Sequence, residues 1–380
     1  MTENFMLTIK LEQDHALRNR ILSEALMHRK AYDTFDLLMA RRVNSEKNLN
    51  KISERQLFEL DQLLMIKGQC LVDREKFVET HELLEENIEV YLIYIISRLL
   101  TMYCAIKNIE NFQIAGTSIK TLDMLMKNID IEGLAKTLKN NRLSAYMRVM
   151  LEIYKLYDKK TNDKIYFKAK KEFLENIDVF EQISKFTVFS FLYSYTINQI
   201  NMRRTEFTKE VYDILKLIIR HDAYRKAGNE YMPSMLFREI VLTGLKQNDH
   251  IGTLKFITDY TDSLAPQYRE TLKTYSKGKM NMHNKVYSKA LRYYDECPKN
   301  ITIINLDMKI DTLVCLYELG SIDRFNSELA KNMNLLKNNK GMTLFQRKSF
   351  KLFNELLIKL IKLKLEPSAL KKVKLIKEVQ

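Results

Sequence analysis

Residues 276–298 read SKGKMNMHNKVYSKALRYYDECP, and this stretch determines the predicted fold. The pattern predicts two helices, the first carrying Gly278, with a break at His283-Asn284. In the second helix, spacings of three, four and three residues put one set of side chains on a single face. The members of this set are Tyr287, Ala290, Tyr294 and Cys297. Because Ala290 is small and the aromatic rings are large, the face fits closely against a neighbouring helix. The stretch therefore predicts a helical hairpin.

The spacing of the prolines indicates that the hairpin is repeated. The chain has four prolines, and Pro233, Pro266 and Pro298 are separated by 33 and 32 residues. Proline fits the first turn of a helix, where its missing N–H had no partner, and it ends the helix before it. The following segment, residues 301–336, fits the same frame, with Gly320 at the turn between its helices. We expect the prolines to mark boundaries between helical pairs, with chance spacing as the alternative.

These features resemble the tetratricopeptide repeat (TPR) family, most clearly over residues 232–338, because the proline spacing is close to the family's period of about 34 residues. The chain departs from the family pattern at Lys277 and Asn281, where the family usually has large apolar residues. The resemblance implies an α-solenoid of antiparallel helix pairs, wound as a right-handed superhelix. It also implies a concave groove lined by the first helix of each pair.

The resemblance places a set of candidate partner-binding residues on this groove. They are Tyr275, Lys279, Met282, His283, Asp307, Tyr317 and Glu318. A groove with both lysine and acidic groups suits an extended peptide or a helix of a partner protein. The alternative is that Lys279 and Asp307 are merely solvated.

Composition predicts an all-α protein. The 380 residues include nine glycines and four prolines, while Leu, Lys, Ile, Glu and Met are abundant. We predict three regions. Residues 1–205 form an N-terminal helical region without a convincing repeat signature, which is either a set of degenerate repeats or a separate helical region. Residues 206–342 form the TPR-like repeats, and residues 343–380 form basic C-terminal capping helices.

The C-terminal region carries much of the positive charge. Residues 337–380 contain twelve basic residues and three glutamates, so 12 − 3 = +9 of the formal net charge of +14 lies there. We predict a helix with Phe353, Leu356, Leu360 and Leu363 on its apolar side. The lysines suit a solvated capping face, phosphate contacts with nucleic acid, or an anionic membrane surface.

Motifs for catalysis, metals and cofactors are missing from the sequence. It has no Gly-x-x-x-x-Gly-Lys phosphate loop and no Gly-x-Ser-x-Gly turn. His81 and Glu85 have the spacing of two metal ligands, but the second histidine of a zinc helix is missing. We therefore expect no enzyme activity, no cofactor and no metal.

The sequence also predicts a soluble, cytoplasmic protein. The four cysteines form no Cys-x-x-Cys pair, as expected for core thiols in a reducing compartment. The first residues lack the pattern of a signal peptide. The apolar stretch Val90–Leu100 is shorter than a membrane span and contains Arg98. We expect no transmembrane segment.

The resulting hypothesis is a non-enzymatic helical-repeat scaffold that binds a protein or peptide partner in a concave groove. One alternative is a nucleic-acid-binding repeat protein that uses the C-terminal lysines. Another is an intracellular peptide-sensing regulator, although such receptors usually carry an N-terminal helix-turn-helix and residues 12–42 show no clear one.

Overall fold

A computed structural model describes residues 15–47, 51–111, 120–138, 141–158, 163–225, 231–338 and 344–365. Within these ranges the chain is all-α and contains no β-strand, which confirms the all-α prediction. The contacts divide the chain into two compact units, Met1–Glu230 and Tyr231–Gln380. The division falls after residue 230, so the helix at Phe207–Arg220, which the sequence grouped with the repeats, lies in the first unit.

The described part of the first unit is built from ten α-helices and one short 3-10 turn at Ile177–Val179. The helices are α1 (His15–His28), α2 (Tyr32–Lys47), α3 (Glu54–Asp73), α4 (Phe77–Asn111), α5 (Lys120–Asn128), α6 (Ile131–Thr137), α7 (Asn141–Asp158), α8 (Asp163–Glu175), α9 (Gln182–Asn201) and α10 (Phe207–Arg220). Helix α3 packs on α4, α4 packs on α7 and α9, and α9 packs on α10.

The described part of the second unit contains seven α-helices and a 3-10 turn at Thr261–Ser263. The helices are α11 (Ser234–Lys246), α12 (His250–Tyr260), α13 (Pro266–His283), α14 (Tyr287–Glu296), α15 (Thr302–Leu319), α16 (Ile322–Asn338) and α17 (Leu344–Leu365). Helices α11, α13 and α15 each pack on the helix that follows, and α13 also packs on both α11 and α15.

The predicted hairpin and proline boundaries are confirmed. Pro233 is the N-cap of α11, Pro266 is the first residue of α13, and Pro298 lies in the connection before α15. A methyl group added at Gly278 of α13 would overlap the Tyr294 ring of α14. The glycine is therefore needed for the close approach of these two helices.

One type of turn ends helices in both units. In this turn, one residue after the helix has a positive φ, for example Lys285. The N–H of the residue that follows it donates to the carbonyl five residues earlier, as Val286 N does to Asn281 O at 2.8 Å. The positive-φ residues are Lys30, Glu75, Arg203, Asp222, Asn248, Lys285 and Gly320. Most of them carry large side chains, although glycine tolerates this conformation best. For that reason only Gly320 was recognisable from the sequence as a turn residue of this kind.

The cores of the two units differ in composition. In the first unit, Tyr166 stacks on Tyr195 with ring centroids 5.1 Å apart, and Phe173 meets Phe189 edge-on at 4.9 Å. The second unit buries fewer aromatic rings, among them Tyr275 and Phe325, and Phe237 meets Phe256 with ring centroids 5.0 Å apart.

The predicted apolar face of α17 was wrong. The buried residues are Phe350, Asn354, Leu357 and Ile361, whereas Leu360 is 37% exposed. Leucine, isoleucine and phenylalanine occur around most of this helix, so its own pattern does not define one face. Packing selects the face, because Phe350 joins a core cluster with Leu306 of α15 and Leu336 of α16.

Helix α4 is continuous over 35 residues. Its segment Asn87–Ile109 is long and apolar enough to cross a membrane by length and composition. About a third (33%) of an apolar 18-residue stretch within it is buried. The length argument based on Val90–Leu100 therefore does not hold. Core helices of soluble proteins meet the same criterion, and the absence of a membrane span stays a prediction.

Candidate functional site

The groove residues predicted from the sequence lie around a set of ion pairs in the second unit. Asp307 of α15 accepts hydrogen bonds from Arg238 of α11, with Nε to Oδ2 at 2.5 Å, and from the Tyr275 hydroxyl at 2.7 Å. The side chains of Arg238 and Asp307 are each 14% exposed. Burial lowers the pKa of Arg238, but the bonds with Asp307 outweigh this and raise it overall. Arg238 therefore stays charged beside Asp307.

A second carboxylate lies one turn along α15. Asp311 accepts from Lys279 Nζ of α13 at 2.7 Å and from the Tyr294 hydroxyl of α14 at 2.8 Å. Burial and the neighbouring carboxylate raise the pKa of Tyr294 far above its usual range, so the hydroxyl remains a donor. Together, the two carboxylates join α11, α13, α14 and α15.

This network changes the interpretation of three predicted residues. Tyr275 is fully buried, so it faces the interior and not an open groove. Lys279 and Asp307 are not merely solvated, because both are mostly buried and form ion pairs inside the unit. Arg238 was missed, and its pairing with a residue 69 positions away has no local signal in the sequence.

The other predicted residues lie nearer the surface. Met282 is in contact with the Tyr294 hydroxyl, and the His283 ring meets His250 with centroids 4.8 Å apart. Tyr317 lies beneath Lys364 Nζ at 4.5 Å from the ring centroid, and Glu318 is exposed. Their role in binding a partner stays a prediction.

A cleft in the first unit has the properties of a binding site. Its volume is about 450 Å³, within the usual range for ligand pockets. Four helices supply its lining: Glu54, Arg55 and Phe58 from α3, Tyr94, Arg98 and Thr101 from α4, Tyr146 and Met150 from α7, and Ile183, Ser184, Thr187 and Val188 from α9.

Backbone hydrogen bonds place the first turns of α3 and α9 at this cleft. Ile52 N donates to Val179 O at 2.7 Å, and Glu181 N donates to Ile52 O at 3.0 Å. Ser53 then caps α3 by accepting from Gln56 N at 3.2 Å. The side chains in the first turns of α3 and α9 therefore lie close together, although the two helices are far apart in sequence.

The floor and walls of the cleft are apolar. Tyr146, Met150 and Val188 are buried at the bottom. Phe58 is 39% exposed and meets Tyr94 with ring centroids 5.4 Å apart, while Ile183 on the facing helix is 42% exposed. Exposed aromatic and aliphatic groups beside a cavity are suited to contact with an apolar side chain of a ligand.

The rim of the cleft is polar and charged. Glu54 accepts from Thr101 Oγ1 at 2.5 Å and from Arg98 Nη1 at 3.2 Å. The Arg98 side chain is nevertheless 57% exposed. A guanidinium has five N–H donors, so Arg98 held by Glu54 can also donate to a carboxylate or backbone carbonyl of a ligand.

Sequence reasoning did not identify this cleft. Phe58 and Ile183 have the spacing of ordinary core positions on their helices. Only the packing of α3, α4, α7 and α9 leaves them beside a cavity.

The described residues contain no group of three or more His, Cys, Asp or Glu side chains that could hold a metal ion. His81 and Glu85 approach at 4.0 Å, and both side chains are about three-quarters exposed.

The four cysteines are buried and free, and burial raises the pKa of the Cys297 thiol to about 11.

The C-terminal lysines are only partly described. Lys371, Lys372, Lys374 and Lys377 lie outside the described residues. Lys364 Nζ donates to the Tyr317 carbonyl at 2.7 Å, and Lys351 pairs with Glu355 at 3.7 Å. Nucleic-acid binding through this region stays a prediction, as does a peptide-sensing role.

Comparison of the chain with protein-family models, with curated proteins and with solved structures finds no match. The resemblance to tetratricopeptide repeats therefore depends on the residues and helix contacts described above.

Proposed function

We propose that this chain is a non-enzymatic helical-repeat scaffold that binds a peptide or a helix of a partner protein in the cleft of the first unit. The cleft is the observation that carries the proposal, because it combines an apolar floor with a charged rim on a support of four packed helices. Such a site holds an apolar side chain in the cavity and the adjoining backbone or carboxylate at Arg98.

The finer architecture belongs to the same proposal. We infer that the second unit is a TPR-like α-solenoid of antiparallel helix pairs, in which α11, α13 and α15 are the first helices. Three observations support this arrangement: the prolines before these helices, the turns after them, and the packing of α13 on both α11 and α15. Short connections between packed consecutive helices require opposite directions.

A selection from a random peptide library tests the binding function. The wild-type chain is used as bait, and enriched peptides are then measured against the variant Phe58→Ser/Ile183→Ser. We expect the affinity to fall at least about tenfold, because the apolar contacts in the cleft are lost. Arg98→Gln should weaken binding mainly of peptides that carry a carboxylate at the contact.

Met65→Ser is the matched control, because Met65 is an exposed apolar residue of α3 that does not line the cleft. It should bind the enriched peptides as tightly as the wild type does. Equal binding by Phe58→Ser/Ile183→Ser, or a selection that enriches no peptide, would overturn the proposal.

A further inference from the structure

The first turn of helix α9 contains a buried lysine, Lys185, that does not line the cleft. The residue is 6% exposed. Within the described ranges of the chain, its amino group has no hydrogen bond and no ion pair. A buried charge without a partner is unfavourable, and lysine is rarely buried unless it is paired. The fold therefore holds a cation to which none of the described carboxylates is bonded.

The amino group of Lys185 lies toward the start of α9. Side chains on a helix tilt toward its N-terminus, so the side chain of Lys185 runs back along the first turn. Burial is the largest cause that lowers the pKa of Lys185; Lys51 lowers it further and Asp178 raises it. Lys51 precedes α3, and Asp178 lies in the 3-10 turn before α9. The lysine therefore interacts with the two segments that meet at the start of α9.

Backbone hydrogen bonds bring Lys51 to the same end of α9. Ile52, the next residue, is bonded to Val179 and Glu181 through the two bonds that also place α3 and α9 at the cleft. The Lys51 side chain is exposed. One buried and one exposed lysine therefore come together from distant parts of the chain. Because like charges repel, an anion that lies beside both of them stabilises this arrangement.

His221, which follows α10, adds a third basic group. Gln182 Nε2 of α9 donates to the His221 carbonyl at 2.7 Å, and the His221 ring stacks on Phe189 with ring centroids 6.3 Å apart. These contacts hold the imidazole against α9. Burial is the largest cause that lowers the pKa of His221, followed by the charges of Lys185 and Arg220. At neutral pH the ring is therefore mostly neutral and has one N–H donor.

The start of α9 adds backbone donors. Glu181 is the N-cap of this helix, and its side chain forms no capping hydrogen bond. The first N–H groups of a helix have no acceptor within the helix and lie at the positive end of its dipole. Helix N-termini bind anions for this reason. In α9 this end coincides with the unpaired Lys185, which is independent evidence for an anion site.

We propose that Lys185, Lys51, His221 and the start of α9 form a binding site for a phosphate group. A bound phosphate accepts from the buried ammonium and so supplies the partner that the described residues do not. The donors come from three segments of the chain. A phosphate ester has three terminal oxygens to meet them, whereas a carboxylate has two. Charge-assisted hydrogen bonds of this kind are stronger than bonds between neutral groups.

Two carboxylates border the site, and they reduce its positive charge only in part. Asp178 is exposed, so water and salt screen its charge, and Glu181 is partly exposed. In the part of the chain that the structure describes, neither forms an ion pair. Lys51, Lys185 and Arg220 are the cations, so a formal charge of 3 − 2 = +1 remains with His221 neutral. The backbone N–H groups of α9 add to this positive charge.

Isothermal titration calorimetry of the full chain with inorganic phosphate, at constant ionic strength, tests the site. Lys185→Met should weaken binding at least about tenfold, because a charge-assisted hydrogen bond is lost. Lys51→Met changes only an exposed side chain, so the chain still folds, and it should weaken binding about threefold.

Lys209→Met is the matched control for the titration. Lys209 is exposed near the other end of α10, about 18 Å from His221 at about 1.5 Å per residue. This variant loses the same formal charge and should bind phosphate as tightly as the wild type does. Equal affinity of the wild type and Lys185→Met, or no binding of phosphate by the wild type, would overturn the proposal.

Thermal melting distinguishes a binding lysine from a lysine that only packs in the core. Phosphate should raise the Tm of the wild type about 2 °C more than that of Lys185→Met. The difference between the two is the relevant quantity, because phosphate also strengthens the burial of apolar groups in general. Without phosphate, Lys185→Met should melt at or above the wild-type Tm, since methionine removes an unpaired buried charge. A lower Tm together with an unchanged response to phosphate would assign Lys185 to the core.

Two further ligands identify the chemical class. Acetate that binds as tightly as phosphate would overturn the assignment to phosphate. The amide of N-acetylphosphoserine distinguishes a phosphorylated side chain from the free ion, and tighter binding of this compound than of inorganic phosphate supports a phosphorylated protein as the source. These tests are independent of the peptide selection, because the variants share no residue with those of the cleft. A chain that binds phosphate but no peptide would remove only the proposed function.

Discussion

The two units keep their helices together with different kinds of contact. The second unit buries charged pairs between helices, with Arg238, Asp307, Lys279 and Asp311 all at most 16% exposed. The first unit has more aromatic ring contacts and one comparably buried pair, Lys170–Glu210, with side chains 18% and 15% exposed, while pairs such as Arg204–Asp163 lie at the surface, with side chains 32% and 41% exposed. A buried charged pair needs both partners in place, because removal of one leaves the other uncompensated in the interior.

Removal of a buried carboxylate should have the largest effect. Asp307→Ala leaves Tyr275 without this acceptor in the interior of the second unit and leaves Arg238 with Glu239 as its remaining carboxylate partner. We expect a loss of about 3–5 kcal/mol in the free energy of unfolding, measured by urea titration. Asp163→Ala in the first unit removes the exposed partner of Arg204 and should cost less than about 1 kcal/mol. Equal losses would refute the contrast between the units.

Helix packing at glycine provides the next test. Gly278→Ala puts a methyl group into the Tyr294 ring and should destabilise the chain by about 1–3 kcal/mol. In the first unit, a methyl group at Gly68 of α3 would meet only Leu83 Cδ2 at an ordinary 3.8 Å. Gly68→Ala should therefore be neutral or stabilise by up to about 1 kcal/mol, because alanine favours helix. Thermal melting of the two variants distinguishes these results.

Acid titration probes Glu152, a buried carboxylate of the first unit. Burial raises the pKa of Glu152, but its bonds with Lys168 at 2.9 Å and Lys155 at 3.1 Å outweigh this, so the pKa lies below 4.5. Because the pKa of this carboxylate is lower in the folded state than in the unfolded state, its charged form stabilises the fold. This stabilisation is complete above the unfolded-state pKa and is lost as the pH falls through the folded-state pKa. The stability advantage of the wild type over Glu152→Gln should therefore shrink below about pH 4.5. An advantage that grows on acidification would contradict this assignment.

The smallest effects are expected at the positive-φ turns, which occur in both units. Lys285→Gly and Arg203→Gly should each stabilise the chain by about 0.5–1 kcal/mol, because glycine relieves the strain of a positive φ. Gly320→Ala should destabilise it by a similar amount, since alanine at φ 67° is strained. Chemical denaturation should show the same sign for the glycine variants of both units. Opposite signs would mean that the turns are not equivalent.

Several features could be predicted because they depend on neighbouring residues. The hairpin at residues 276–298, the turn at Gly320 and the helix boundaries at the prolines each follow from a pattern within a few turns of helix. The positive-φ turns of the first unit were not predicted, because their own residues give no local signal for them. Its positive-φ positions hold Lys30, Glu75 and Arg203, which are not typical of that conformation.

The candidate cleft and the ion pairs could not be predicted in this way. Glu54 and Thr101 are 47 positions apart, and Arg238 and Asp307 are 69 positions apart. Each residue alone has the pattern of an exposed helix position. Their chemistry appears only when helices from different hairpins are stacked, and no spacing within one helix encodes that stacking.

The sequence by itself determined that this protein is helical and where many of its helices begin, because helix periodicity, capping and proline stereochemistry act over a few residues. The tertiary structure alone decided which faces became interior and which remained exposed. Helices α4 and α17 are apolar on more than one side, so their own residues permit several burial patterns. Packing against neighbouring helices selects one, because burial of an apolar face is favourable only where another helix covers it.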